Sequence, residues 1–390
     1  MHMADALLAP AVAATMYAAS AVTVGASVKT LKKDEASAKL PTMAVASALV
    51  FAGQMINYTI PGTGSSGHLC GGMLLTALLG PQAGFLSMVV ILAIQALFFA
   101  DGGLLALGAN CWNMAFYGCF VGYYLIWRPI MRSGLFASMG ARGAARAKLV
   151  LASVLGCVLT LQLGAFSVVL ETTASGITEL PFAVFAGVMQ PIHLTIGLVE
   201  GLITSAVLLF VYAARPELIQ DADAASQGGS CSLKTTLVVL AVVVAVVGGG
   251  LSLFASGNPD GLEWSMFGNA ESGYSENMGL DEESYGVSSG AADVAGAIQE
   301  KTAFLPDYGF MNSDSAAGTT VSGLLGSVMV AAVAVLVCCA GASSVRKKLL
   351  QKPEKCVILL EVPRRYLQFR LLRIFYEQAD KGPDGALGNG

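Results

Sequence analysis

Runs of about twenty apolar residues recur along the chain at 5–27, 40–57, 83–100, 104–127, 148–170, 184–213, 235–255 and 320–340. At 1.5 Å of rise per residue each is long enough to cross a hydrocarbon core of about 30 Å as a helix. A shorter apolar run, 69–80, follows the Gly/Ser-rich segment PGTGSSGH and reads as a short or re-entrant element. The pattern predicts an all-α polytopic membrane protein with about nine membrane elements. Polar segments divide it into a seven-element unit 1–213, a linker 214–234, a two-span hairpin 235–340 and a basic, partly amphipathic tail 341–390. The hairpin encloses the segment 256–319, too long for a simple turn. No internal repeat is visible, so an inverted-repeat carrier gains no support.

Composition agrees with that pattern. Of the 390 residues, 55% are hydrophobic and 12% charged, about half the charge a soluble surface carries. Glycine reaches 45 residues, and small residues permit close helix packing in lipid, as Gly118-x-x-x-Gly122 and Gly197-x-x-x-Gly201 would. Charge fixes the expected orientation. The segments 28–39 and 128–148 and the tail are basic, whereas 256–319 holds eleven Asp/Glu and one Lys. Nine crossings with the N-terminus outside put every basic segment on the cytoplasmic side and the acidic loop outside. The lysines follow the first apolar run instead of preceding it, so the run reads as a retained helix and not a signal peptide.

Candidate chemistry centres on three histidines, His2, His68 and His193. His2 and His68 fall on the same, outer side. The α-amine of Met1, the backbone nitrogen of His2 and its Nδ1 can close five- and six-membered chelate rings around one ion. His68 can supply the fourth corner of a plane that suits Ni(II) or Cu(II). A large second residue opposes removal of Met1. His193 and Glu200 read as buried helix residues, with a pathway role left open. Asp101 reads as a loop or cap residue. The acidic loop would either concentrate divalent cations near the outer mouth or, as the favoured reading, keep an exposed segment soluble; it has no histidine or cysteine with which to compete for such an ion.

Other motifs fail. GGSCSLKT (228–235) has Leu233 where a P-loop needs glycine, so no ATPase motif is present. There is no H-E-x-x-H, and no enzyme chemistry is indicated. The eight cysteines and fifteen methionines read as packing residues.

Four separated segments, MHMADALLAP, GTGSSGHLCGG (62–72), QALFFADGGLLALGANCWNMA (95–115) and PIHLTIGLVEGLIT (191–204), together resemble the metal-binding membrane subunit of cobalt and nickel energy-coupling factor transporters, the CbiM/NikM family. NPDGLEW (258–264) and LPDYGF (305–310) resemble its small two-span PDGLE accessory subunit, CbiN/NikN. The resemblance implies a seven-helix subunit that binds metal through Met1, His2 and His68. It also implies import of Ni(II) or Co(II) as transported ligand, with no cofactor. A CbiQ-like transmembrane coupling protein and CbiO-like ABC ATPases are the implied partners, in a bacterial-type cell membrane. The lipid bilayer is the remaining partner, and no nucleic acid is expected. Two rivals stay open: a metal sensor or scaffold, and a stand-alone proton-coupled carrier using His193 and Glu200.

Overall fold

The computed structural model describes residues 1–31, 33–222, 231–270, 280, 285–313 and 315–350, without the side chains of 33–38 and 338–350. The rest of the basic tail, the middle of the linker 214–234 and parts of the acidic loop lie outside the described residues.

Helices form where the apolar runs lie. They are α1 (Pro10–Thr30), α2 (Lys33–Gln54), α3 (Gly72–Leu79), α4 (Pro81–Phe99), α7 (Gly140–Ala174), α8 (Phe182–Ala214), α9 (Leu233–Gly249) and α12 (Ala317–Leu350). Between α4 and α7 a helical run passes from α5 (Leu107–Asn110) through a π-wound segment, Cys111–Trp127, into α6 (Arg128–Arg132). Two shorter helices, α10 (Gly261–Phe267) and α11 (Gly290–Thr302), fold within the loop of the second hairpin. Among the described residues six stretches are long and apolar enough to cross a membrane: Pro10–Thr30, Pro81–Phe99, Ala137–Ala174, Phe182–Ala214, Leu233–Phe254 and Ala317–Val337.

The outer surfaces of α7 and α8 carry Leu155, Leu159 and Leu163 and Leu194, Leu198 and Leu202, exposed at helical spacing. The polar residues turn inward instead, with Thr160, His193, Glu200 and Thr204 all buried. That inversion suits lipid outside and a packed polar interior. Glycine brings backbones together at two places. A Cβ on Gly118 would lie 2.9 Å from the Cα of Gly72, and one on Gly201 would lie 2.7 Å from the Cα of Val154. These contacts join the π-wound segment to α3, and α8 to α7.

The short α3 is buried at every residue. At eight residues it spans only about 12 Å, so its last carbonyls end inside the protein. Gln220 satisfies two of them, donating its backbone N–H to Ala77 O at 2.8 Å and its Nε2 to Leu78 O at 3.1 Å. Lys39 Nζ donates to Leu79 O at 3.1 Å. The re-entrant reading of 69–80 therefore has a polar device that makes such an end tolerable.

Before α3 the chain makes an antiparallel hairpin, β1 (Tyr58–Ile60) with β2 (Ser65–Gly67), paired Tyr58↔Gly67, Thr59↔Ser66 and Ile60↔Ser65. Gly62 and Gly64 take positive φ in its turn, a conformation that glycine adopts without steric cost. The hairpin delivers His68 directly after β2.

Candidate metal centre

The first five residues are threaded into the protein by the segment after α4. Met3 N–H donates to Asn110 Oδ1 at 2.8 Å, while Asn110 Nδ2 and Gly103 N–H donate to Met3 O at 3.2 and 2.8 Å. Asp5 accepts from Ala106 N–H at 3.0 Å. Gly102, at φ +80°, leaves room that a side chain would take: a Cβ there would lie 3.0 Å from Asn110 Nδ2 and 3.1 Å from the Cβ of His2. The FADGGLLALGAN segment is thus a cradle for the amino terminus.

This threading brings Met1, His2 and His68 together. The Met1 amine lies 3.2 Å from His68 Nε2, and the His2 and His68 rings stack with centroids 5.3 Å apart. All three residues are largely buried, Met1 at 6% exposure.

A directed hydrogen-bond chain sets which imidazole nitrogens carry lone pairs. Gln54 Nε2 donates to Cys70 O at 2.8 Å, so its Oε1 is free to accept from Gln95 Nε2 at 3.0 Å. Gln95 Nε2 also reaches Tyr308 Oη at 3.1 Å, so Gln95 Oε1 faces His2 Nε2 at 3.3 Å and accepts from it. A proton on His2 Nε2 leaves the lone pair on Nδ1. In His68 the order is reversed. Nδ1 donates to Leu69 O at 3.0 Å, and the lone pair on Nε2 faces the Met1 amine. The lone pairs the chelate requires, His2 Nδ1 and His68 Nε2, are the ones this wiring leaves available.

The electrostatics favour a cation. His2 Nδ1 lies 3.2 Å from Asp101 Oδ1, and Tyr308 donates to Asp101 Oδ2 at 2.5 Å. Burial pulls the His2 imidazole down to about 4, partly offset by Asp101, so the ring is neutral in ordinary conditions. A neutral nitrogen facing a carboxylate oxygen is a gap that a positive ion would fill. Above it opens a vestibule of about 530 Å³ lined by Asp5, Asp101, Asp260, Glu263 and Asp307 among others.

Every residue of the segment Pro259–Glu263 has a job at this centre. Pro259 O accepts from Ser66 N–H at 2.8 Å, fixing the accessory loop to β2. Asp260 caps α10, its Oδ1 accepting from Leu262 and Glu263 N–H at 2.7 and 3.0 Å, and Glu263 returns the bond to Asp260 N–H at 3.2 Å. Gly261 sits where a Cβ would meet Ile196 Cδ1 at 2.8 Å and His193 Cε1 at 3.1 Å. Leu262 is buried. The other oxygen of Asp260 accepts from the Met1 ammonium at 2.5 Å and lies 3.8 Å from His68 Nε2. Burial opposes charge on Asp260, but the Met1 ammonium and His68 hold its carboxyl well below the usual range. Asp260 in turn, with burial, raises Glu263.

The sequence reading thus selected Met1, His2 and His68, and the fold places them side by side. It missed Asp260, Gln95 and Gln54; Asp101, read as a loop or cap residue, lies in the loop after α4 and also faces His2. The acidic loop is more than a solubilising segment at Asp260, which reaches the amino terminus. The NPDGLEW motif was visible, but only tertiary packing shows where its acid points. Among the described residues no group of three or more His, Cys, Asp or Glu side chains is placed to hold a metal ion, and the candidate donors at this centre include an amine and a backbone nitrogen.

His193 and Glu200 lie deeper. Glu200 accepts from Cys70 and Gly71 N–H at 2.8 and 2.9 Å, anchoring the backbone just after His68. His193 Nδ1 donates to Met189 O at 2.8 Å.

Comparison with known proteins decides the family. Residues 2–218, more than half of the chain, match the family described as the cobalt uptake substrate-specific transmembrane region. The chain belongs to this cobalt uptake family. Residues 234–342 match the PDGLE domain, so one chain joins the cobalt uptake region to its accessory module. An Archaeoglobus fulgidus relative, provisionally named fused nickel transport protein NikMN, is 34% identical over 85% of this chain and 96% of its own. The cobalt transport protein CbiM of Sorangium cellulosum is 34% identical over 46% of this chain and 76% of its own. A crystal structure of a truncated transition metal transporter aligns with 33% identity and a TM-score of 0.43, over 54% of this chain and 98% of that one. The chain is a multi-pass membrane protein of the cobalt and nickel transport family.

Proposed function

We propose that the chain is the substrate-binding membrane component of an ATP-dependent energy-coupling factor importer for Ni(II) or Co(II). The ion is bound by the Met1 amine, the His2 backbone nitrogen, His2 Nδ1 and His68 Nε2. The observation that carries this reading is the Met1 amine at 3.2 Å from the His68 Nε2 lone pair, beside a His2 ring whose proton on Nε2 leaves a lone pair on Nδ1. Residues 1–213 form the metal-binding unit, and the hairpin 235–340 is its accessory module. Nine crossings, N-terminus outside and C-terminus inside, expose the vestibule to the exterior of the cell membrane.

Asp260 gives the accessory module a direct hold on the site. It pairs with the ammonium that must lose a proton before the amine can ligate. The energy comes from partners: a CbiQ-like coupling protein and CbiO-like ATPases. The arrangement supports transport above the proton-carrier alternative, because Glu200 is occupied by two backbone N–H groups. Radiometal uptake in cells lacking other nickel and cobalt importers tests the reading. Uptake should require the coupling protein and ATPases in trans; vigorous uptake by the chain alone would refute it.

A further inference from the structure

Beneath the amino-terminal site lies a second, much smaller cavity of about 10 Å³, lined by Met1, His68, Cys70, Met114, His193 and Gly261 among others. His193 is 1% exposed. Its Nδ1 proton is committed to Met189 O, so Nε2 carries a lone pair. That Nε2 has no hydrogen-bond partner among the described residues. A Cβ on Gly261 would come within 3.3 Å of it, which places the Nε2 edge against the cavity wall. Buried nitrogens are nearly always paired, so one left open toward a cavity requires an explanation.

His68 lines both this cavity and the outer vestibule. Its ring therefore stands between the two spaces. The vestibule has room for a hydrated ion, whereas the inner cavity has room for about one water. The thiol of Cys70 is already donated to Met114 O at 3.2 Å, which leaves the imidazole nitrogens as the nitrogen donors among the side chains lining the cavity.

We propose that His193 Nε2 is a second, inner station for the transported cation, reached from the amino-terminal chelate with His68 as the ligand shared between them. This rests on the metal-import reading above. The ion is a first-row divalent cation already stripped of most of its water, held by two imidazole nitrogens. Two nitrogens hold it more loosely than the outer four, which suits a site that must release its ion. Gly261 of the accessory module closes the wall of this station, so the module touches both sites.

The test uses the purified full chain and Ni(II) alone. An N-terminal extension removes the outer chelate. The extended chain should still bind about one Ni(II), at least tenfold more weakly than the unmodified chain. His193→Ala in the extended chain should abolish that residual binding, and His193→Gln, which preserves size and a donor for Met189 O, should weaken it about tenfold or more. In the unextended chain His193→Ala should leave affinity within about threefold while lowering uptake in cells about tenfold or more. Absent residual binding, or residual binding indifferent to both substitutions, overturns the inner station. So does loss of the high-affinity site in unextended His193→Ala, which would merge the two. Failure of the unmodified chain to bind Ni(II) at all would instead sink the amino-terminal chelate.

Discussion

The two ends of the His68 loop make different use of buried polar groups. At the amino-terminal side, the wiring sets the His68 Nε2 lone pair against the Met1 ammonium and the His2 Nδ1 lone pair against Asp101. At the α8 side, Glu200 has both carboxylate oxygens filled by the backbone N–H groups of Cys70 and Gly71. In the first arrangement an ion must displace the ammonium proton that His68 Nε2 faces, whereas the Glu200 carboxylate is satisfied by the protein alone. Burial or ionisability therefore does not mark a binding site by itself; what occupies the lone pairs does.

Substitutions should separate the two ends. The largest effect is expected at the amino terminus. Extending the chain before Met1 replaces the amine with an amide and displaces His2, so high-affinity metal binding should fall about a thousandfold or more with folding intact. Equilibrium dialysis of tagged and untagged protein checks this.

His68→Ala removes one nitrogen ligand, and a loss of about a hundredfold is expected by calorimetric titration. At the other end the expected readout is stability. Glu200→Ala strands two buried N–H groups at about 1–3 kcal/mol each, and Glu200→Gln, which keeps one acceptor oxygen, should cost less. Thermal unfolding in detergent ranks them, and equal stability of Glu200→Ala and the parent would contradict the anchor. Gln95→Leu breaks the wiring that fixes the His2 tautomer and should weaken binding about tenfold.

Asp260→Asn gives the smallest change in equilibrium affinity. An ammonium carries one positive charge, and so does a divalent ion bound by one deprotonated backbone nitrogen. Asp260 meets the same charge in both states, so affinity should move only about threefold. Uptake should fall more, because the accessory loop loses its hold on the amino terminus. A large loss of affinity would make Asp260 a ligand instead.

Much of this was legible in the sequence because hydrophobic run length is set by the bilayer, and helices occur where those runs lie. Met1, His2 and His68 were legible because chelate geometry is local at positions 1 and 2. The rest depended on contacts between distant segments. Gln54 and Gln95 look like ordinary polar residues in helices until their amides are seen linked in sequence. Asp260 looks like one acid among eleven in its loop, and its cap role hides the second oxygen that reaches Met1. The π-winding of Cys111–Trp127 has no sequence signal that we can name.

The most direct test counts protons. On burial the His2 imidazole is pulled down to about 4, so it is already neutral at pH 7 and has no proton to give. The Met1 ammonium must lose one proton to ligate, and the His2 backbone nitrogen must lose another. Binding should accordingly weaken as pH falls from 8 to 5, well before His2 itself protonates. Titrating Ni(II) into the purified chain at pH 7 in buffers of different ionisation enthalpy yields the protons released per ion. The account predicts about two; a value near zero, as expected for a site of neutral imidazoles alone, would contradict it.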